Sequence, residues 1–224
     1  MWKKVCAIIA LSLFLSNCSP PVRSTVTSFH KINPEEITGK KISILPENIK
    51  NDETIEFSFY HDILAKKFSE KGLVVIRNPQ NVDWIAFVDY KINSGEYISR
   101  NVSIPQTEQV GGGLTYHSGT VYSGGSSARY SGTSYSPPVY ATTGYQNITI
   151  NETVYTRNIS IIIYDKEALS KKDLVALYEG HITSKGYCAS LAGVFAAMSD
   201  ALFQEWPGPS GGSRTIEVQW DGKC

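Results

Sequence analysis

Four histidines, His30, His61, His117 and His181, are the side chains of this chain best suited to acid–base or metal chemistry. They are scattered, with none of the paired spacings that a zinc site uses, so no metal and no cofactor are expected. Gly111-Gly112-Gly113 runs into Leu114 and lacks the Lys of a phosphate-cradling loop. Gly208-Pro209-Ser210-Gly211 is no nucleophile elbow, because its spacing is wrong and it follows a helical pattern instead of a strand. Glu179 and His181 stand two residues apart in a strand pattern, which puts both on one face. A small hydrolase or ligand-binding enzyme would be built on that pair; a structural cross-strand contact is the competing and plainer reading. Asp89 lies in an apolar run without a visible partner, and His61 reads as a partly exposed surface imidazole. On these residues the chain is expected not to be an enzyme.

The cysteines tell more by position than by number. Lys3 and Lys4 give a positive start, Val5 to Leu15 an apolar core of signal-peptide length, and Leu15-Ser16-Asn17-Cys18 closes it. That run is too short to span a bilayer, which takes roughly 20 apolar residues. The ending resembles the lipobox of bacterial lipoproteins, whose precursors are cut before a cysteine that becomes the acylated first residue; Asn17 stands where Gly or Ala is usual. The resemblance implies a signal peptide over 1–17, a lipidated tether over 18–24, and membrane attachment through lipid on Cys18. With Ser19 next instead of Asp, it also implies an outer-membrane address with the body in the periplasm. An ordinary signal peptide cut nearby, leaving Cys18 as a thiol, is the alternative. Cys6 leaves with the leader, so Cys188 and Cys224 remain as a candidate disulfide in an oxidising compartment. Free thiols, or a pairing across chains, would be the other outcome.

Without Lys3 and Lys4 the 21 basic residues become 19 against 21 acidic, a net charge of about −2. A nucleic-acid partner would want a basic face, so none is expected. Residues 25–224 are of a length for one domain.

The elements that would position these residues follow from periodicity. Val22 to Phe29 alternates as a first strand, and Ile42 to Pro46 reads as a second. Phe57, Tyr60, Ile63, Leu64 and Phe68 recur at helical spacing over about 53–71, closed by Gly72. Leu73 to Ile76 is a short strand, and Trp84 to Ile92 a central one expected to be covered on both faces. Between 111 and 146 the chain is Gly, Ser, Thr and Tyr, with Arg129 its only formal charge, and reads as a mobile loop or ragged hairpin extension. Tyr116, Tyr122, Tyr130, Tyr135, Tyr140 and Tyr145 recur through it; exposed tyrosines on a Gly/Ser frame make adaptable contacts. The stretch is therefore either a binding arm for an envelope protein or glycan, or a tolerated insertion. Ile148 to Ile163 alternates as one long strand or two collinear ones, 174–182 follows as a strand, about 189–205 as a helix and 214–220 as the last strand. The expected class is α+β, with a two-layer mixed or antiparallel sheet, two helices packed on one face, and the insertion as a loop or hairpin.

Several segments in order are similar to a lipoprotein family. They are Ser24 to His30, the Tyr60 helix ending at Gly72, Thr153-Val154-Tyr155-Thr156-Arg157, Tyr178-Glu179-Gly180 with Ser184-Lys185-Gly186, and Trp206-Pro207-Gly208-Pro209-Ser210-Gly211. Together they resemble the bacterial envelope lipoproteins of domain-of-unknown-function family 4136, with Trp206 where Phe is usual. The resemblance implies an address and a fold but no reaction. The expected role is thus a non-enzymatic binding or structural component of the bacterial envelope.

Overall fold

The computed structural model describes residues 21–48, 54–172 and 174–224; the leader and Cys18 lie outside the described residues. Its elements are β1 (Val22–His30), β2 (Lys41–Pro46), α1 (Ile55–Glu70), β3 (Val74–Val75), β4 (Trp84–Ile92), β5 (Glu96–Ser123), β6 (Ser126–Asp165), α2 (Lys166–Ser170), β7 (Ala176–Gly186), α3 (Leu191–Phe203) and β8 (Gly212–Val218). The described residues divide into two compact units, one running up to Glu96 together with those of 153–224, the other Tyr97–Glu152.

The α+β expectation does not hold. The described residues are mostly β, 57% strand and 20% helix with 3-10 turns included, and they form one eight-stranded mixed sheet and three α-helices. Most of the difference lies in the Gly/Ser/Thr/Tyr stretch. It is too poor in aliphatic residues to form a core, but its threonines and tyrosines suit extended backbone, and β5 and β6 run through all of it except a turn. The short helix α2 is a further departure. Asp165, which marks the end of a strand in the sequence, also accepts a hydrogen bond from the Ala168 amide and so caps a helix.

In the first unit the strand order is β3-β2-β4-β6-β7-β1-β8. β2 runs parallel to β3 and β4, and the pairs β4–β6, β6–β7, β7–β1 and β1–β8 are antiparallel. Period-two burial defines one inward face: Val26 pairs with Ile182 and Ile182 with Ile159, and all three are buried. α1 and α3 join the core on this face. Thr54 caps α1 through the Phe57 amide, and Phe57, Tyr60, His61, Leu64 and Phe68 form its buried stripe. Ser190 caps α3 through the Gly193 amide. Tyr60 stacks on Phe195 at 4.1 Å and meets Tyr90 edge-on at 4.7 Å, joining both helices to β4. Phe68 meets Phe203 at 4.8 Å and Trp206 at 5.7 Å, and Trp206 in turn lies 5.7 Å from Tyr178 of β7. Each such ring contributes roughly 1.5–3 kcal/mol by burial, and each pair about 0.5–1.5 kcal/mol more.

The opposite face is only partly covered. β4 is covered on both faces only in its first half, where Trp84, Ile85 and Ala86 are all buried; further along Asp89 is half-exposed, with Lys91 Nζ 3.9 Å from its carboxylate.

In the second unit, β5 pairs with β6. Gly124 (φ 57) and Gly125 (φ 86) form the turn between them. Two consecutive positive φ values are what a two-residue turn of the mirror-image type needs, and only glycine takes them without strain. At Gly119 a Cβ would lie 2.6 Å from the ring of Tyr130, so glycine there makes room for the tyrosine.

Candidate functional site

The residues that the sequence marks for chemistry are kept apart by the fold. His30 lies at the end of β1, its Nε2 2.6 Å from the Gly208 carbonyl oxygen. His117 is in the hairpin unit, its Nε2 2.8 Å from Ser134 Oγ. His61 is buried, at 5% exposure, and is not the partly exposed imidazole its sequence context indicates. It stands four residues after Phe57 and three before Leu64, within the apolar stripe itself. Its Nδ1 is 3.1 Å from Asp62 Oδ1, which accepts from Arg77 Nη2 at 2.9 Å. His61 and Arg77 line a cavity of about 720 Å³ together with Phe57 of α1, Ile44, Leu45 and Pro46 of β2 and Phe87 of β4. Asp62 thus holds both Arg77 and the His61 Nδ1, while the buried His61 Nε2 has no hydrogen-bond partner. No group of three or more His, Cys, Asp or Glu side chains suited to a metal occurs among the described residues.

Glu179 and His181 are both exposed on the open face of β7. Register aligns Asp89, Ser160, His181, Thr27 and Ser213 in one row across five strands. His181 Nδ1 is 3.2 Å from Ser160 Oγ. A hydroxyl nucleophile activated by histidine needs the imidazole between hydroxyl and carboxylate. Here the hydroxyl of Ser160 stands between, and His181 has Thr27 as its neighbour on the other side. Glu179 belongs to the adjacent row, where it pairs with Phe29 and Ile162. The row has the order of a polar ladder, not of a relay.

The six tyrosines of the 111–146 stretch are 57% to 80% exposed, from Tyr130 to Tyr122. Residues 126–152 of β6 have β5 as their only strand partner among the described residues, because the β7 pairing begins at Tyr155 and the β4 pairing at Arg157. The hairpin therefore presents backbone donors and acceptors along its edges, with Arg129 as the only formal charge between 111 and 146 to protect them. Within it, Thr149 Oγ1 donates to Asn101 Oδ1 at 2.9 Å, and Arg100 lies 3.4 Å from Glu152.

Cys188 and Cys224 form a disulfide, with Cα atoms 5.5 Å apart. Beside it is a cavity of about 380 Å³ whose lining includes Val22, Arg157, Tyr187, Val194 and Trp220. Arg157 is 3% exposed. Its Nη1 donates to the Cys188 carbonyl oxygen and its Nη2 to Ser184 Oγ, both at 3.4 Å, near the outer limit for a hydrogen bond. Its Nε has no partner, and none of the ion pairs among the described residues includes it. Burial lowers its pKa, from a starting point so high that the guanidinium stays charged. Glycine at 186 makes the seat, since a Cβ there would lie 2.7 Å from Nη2.

The sequence reading misses Arg157 as a site residue, although period two places it on the same face as Ile159, Ile161 and Ile163. A charged residue opening a run of inward-facing isoleucines is the signal that finds it.

No family model matches the chain, and no curated relative matches it. Among solved structures it is similar to a PDZ domain protein from Parabacteroides distasonis, at 11% identity and a TM-score of 0.41. The alignment covers 92% of this chain and 41% of that one. A likeness at that level carries no argument about fold or function.

Proposed function

We propose that this protein is a non-enzymatic lipoprotein of the bacterial envelope, similar to the family 4136 lipoproteins, which holds a protein partner through its hairpin unit. Lipid on Cys18 would tether it to the outer membrane with its body in the periplasm. The observation that carries the reading is the hairpin itself. A two-stranded ribbon is marginally stable alone in water, and this one has open edges, exposed tyrosines and Arg129 as the only formal charge between 111 and 146. A strand of an envelope protein added to an edge would satisfy the backbone groups, and the tyrosines would supply contact area at low entropic cost.

Two measurements test this. Intact mass of the membrane-extracted protein should show loss of residues 1–17 and an acyl increment on Cys18; an unprocessed, unacylated chain refutes the anchor. In-cell cross-linking should capture a defined envelope protein with the wild type and lose it when residues 111–146 are deleted, while the thermal stability of the first unit is unchanged. Capture retained after the deletion, or enrichment of glycan without protein, refutes the protein-binding arm.

A further inference from the structure

The second site is independent of the hairpin. We propose that the cavity beside the Cys188–Cys224 disulfide binds a small amphiphilic anion, its phosphate or carboxylate head on Arg157 and its apolar body along Val22, Val194, Trp220 and the disulfide. A buried charge without a counter-charge is costly, and proteins keep one where it is paired or where a ligand pairs it. Arg157 has two long bonds to neutral acceptors and an unpartnered Nε, in a fold that reserves Gly186 for its seat. An anion accepting two parallel N–H bonds is what a guanidinium fork fits best. The surface of the remaining lining is mostly apolar, with Arg23 and Lys185 as further cations among its residues; this combination favours an anion carrying an apolar body over a bare ion. The volume, about 380 Å³, is within the range of small-ligand sites.

The anion has two possible sources with one chemistry, an anionic lipid headgroup or a soluble organic phosphate or carboxylate. Pro21 is at the cavity rim, and Cys18 precedes it by three residues, a covalent reach of at most about 11 Å. The lipid source rests on the lipoprotein reading; the soluble source does not.

The test uses the full chain in phosphatidylcholine nanodiscs, titrated calorimetrically with hexyl phosphate, hexanoate, inorganic phosphate and hexanol. Hexyl phosphate and hexanoate should bind, with hexanol and inorganic phosphate each at least about tenfold weaker. Arg157→Leu should lose at least about tenfold in affinity for hexyl phosphate. Without ligand it should unfold at the same temperature as the wild type or higher, because an unpaired buried charge has been removed. Repeating the titration in discs containing phosphatidylglycerol separates the sources: weaker apparent binding of hexyl phosphate identifies a competing headgroup, and unchanged binding identifies a soluble ligand. The proposal is overturned if the wild type binds neither anion, if hexanol binds as tightly as hexyl phosphate, or if Arg157→Leu binds unchanged. Should that variant fail to fold, the comparison of hexyl phosphate with hexanol on the wild type decides.

Discussion

Replacing Cys188 and Cys224 together by serine isolates what the bridge contributes to the first unit. The two residues are separated by 36 positions, and their Cα distance of 5.5 Å is within the ordinary range for a disulfide. For a loop of that size the chain-entropy relation gives roughly 13 cal/mol/K, or about 3.8 kcal/mol at 25 °C, lost from the unfolded state by cross-linking. The native state holds the same tail by other contacts as well. Trp220 Nε1 donates to the Gly193 carbonyl oxygen at 2.6 Å, and a Cβ on Gly193 would come within 2.8 Å of the Lys223 carbonyl oxygen. These contacts act only in the folded protein, so they do not replace the constraint on the unfolded one. At about 2–4 °C per kcal/mol for a chain of this length, the double variant should melt about 8–15 °C below the wild type. Calorimetric scans of both proteins, with the oxidised wild type repeated under reductant, provide the measurement, and the reduced wild type should follow the double variant. A difference under about 2 °C in both comparisons would refute the reasoning. It would mean that the tail frays before the body melts and the bridge closes no loop that matters.

Gly180→Ala should destabilise the first unit by about 1–3 kcal/mol, as overpacking does. The new Cβ would lie 2.6 Å from the ring of Tyr178, which is buried against Trp206 and has nowhere to move; a denaturant midpoint equal to wild type would show that the ring relaxes freely. Stability should also fall above about pH 10. Burial raises the phenol pKa of Tyr178, and of Tyr60, where a hydrogen bond to Glu56 adds to it. A folded-state pKa above the unfolded value leaves stability intact below the unfolded pKa of about 10 and removes it as pH rises beyond. Urea midpoints at pH 8 and 10.5 should therefore differ, with a smaller difference for Tyr178→Phe; equal midpoints in the wild type would contradict the burial argument.

Much of the first unit is legible in the sequence. Alternation at Ile159, Ile161 and Ile163 and helical spacing at Phe57, Tyr60, Leu64 and Phe68 report faces directly, because a buried face repeats with the period of its element. The same rule contained more than composition conveys. It places His61 in the α1 stripe and Arg157 among the isoleucines, where residue type alone suggests exposure. In the 111–146 stretch composition leaves a mobile loop and a hairpin extension open, and the structure takes the hairpin. The absence of aliphatic residues argues against a core, but a hairpin needs backbone pairing and a turn, and Gly124-Gly125 is a turn signal of the right length.

What the sequence determined by itself is local: the ends of α1 and α3 set by Thr54 and Ser190, the inward parity of each strand, and the leader pattern up to Cys18. Only the tertiary structure decided the order β3-β2-β4-β6-β7-β1-β8, the row that sets Ser160 between Asp89 and His181, and the lack of an ion pair to Arg157 among the described residues. The physical reason is that periodicity belongs to contiguous residues, whereas strand order and charge compensation depend on side chains brought together from distant parts of the chain.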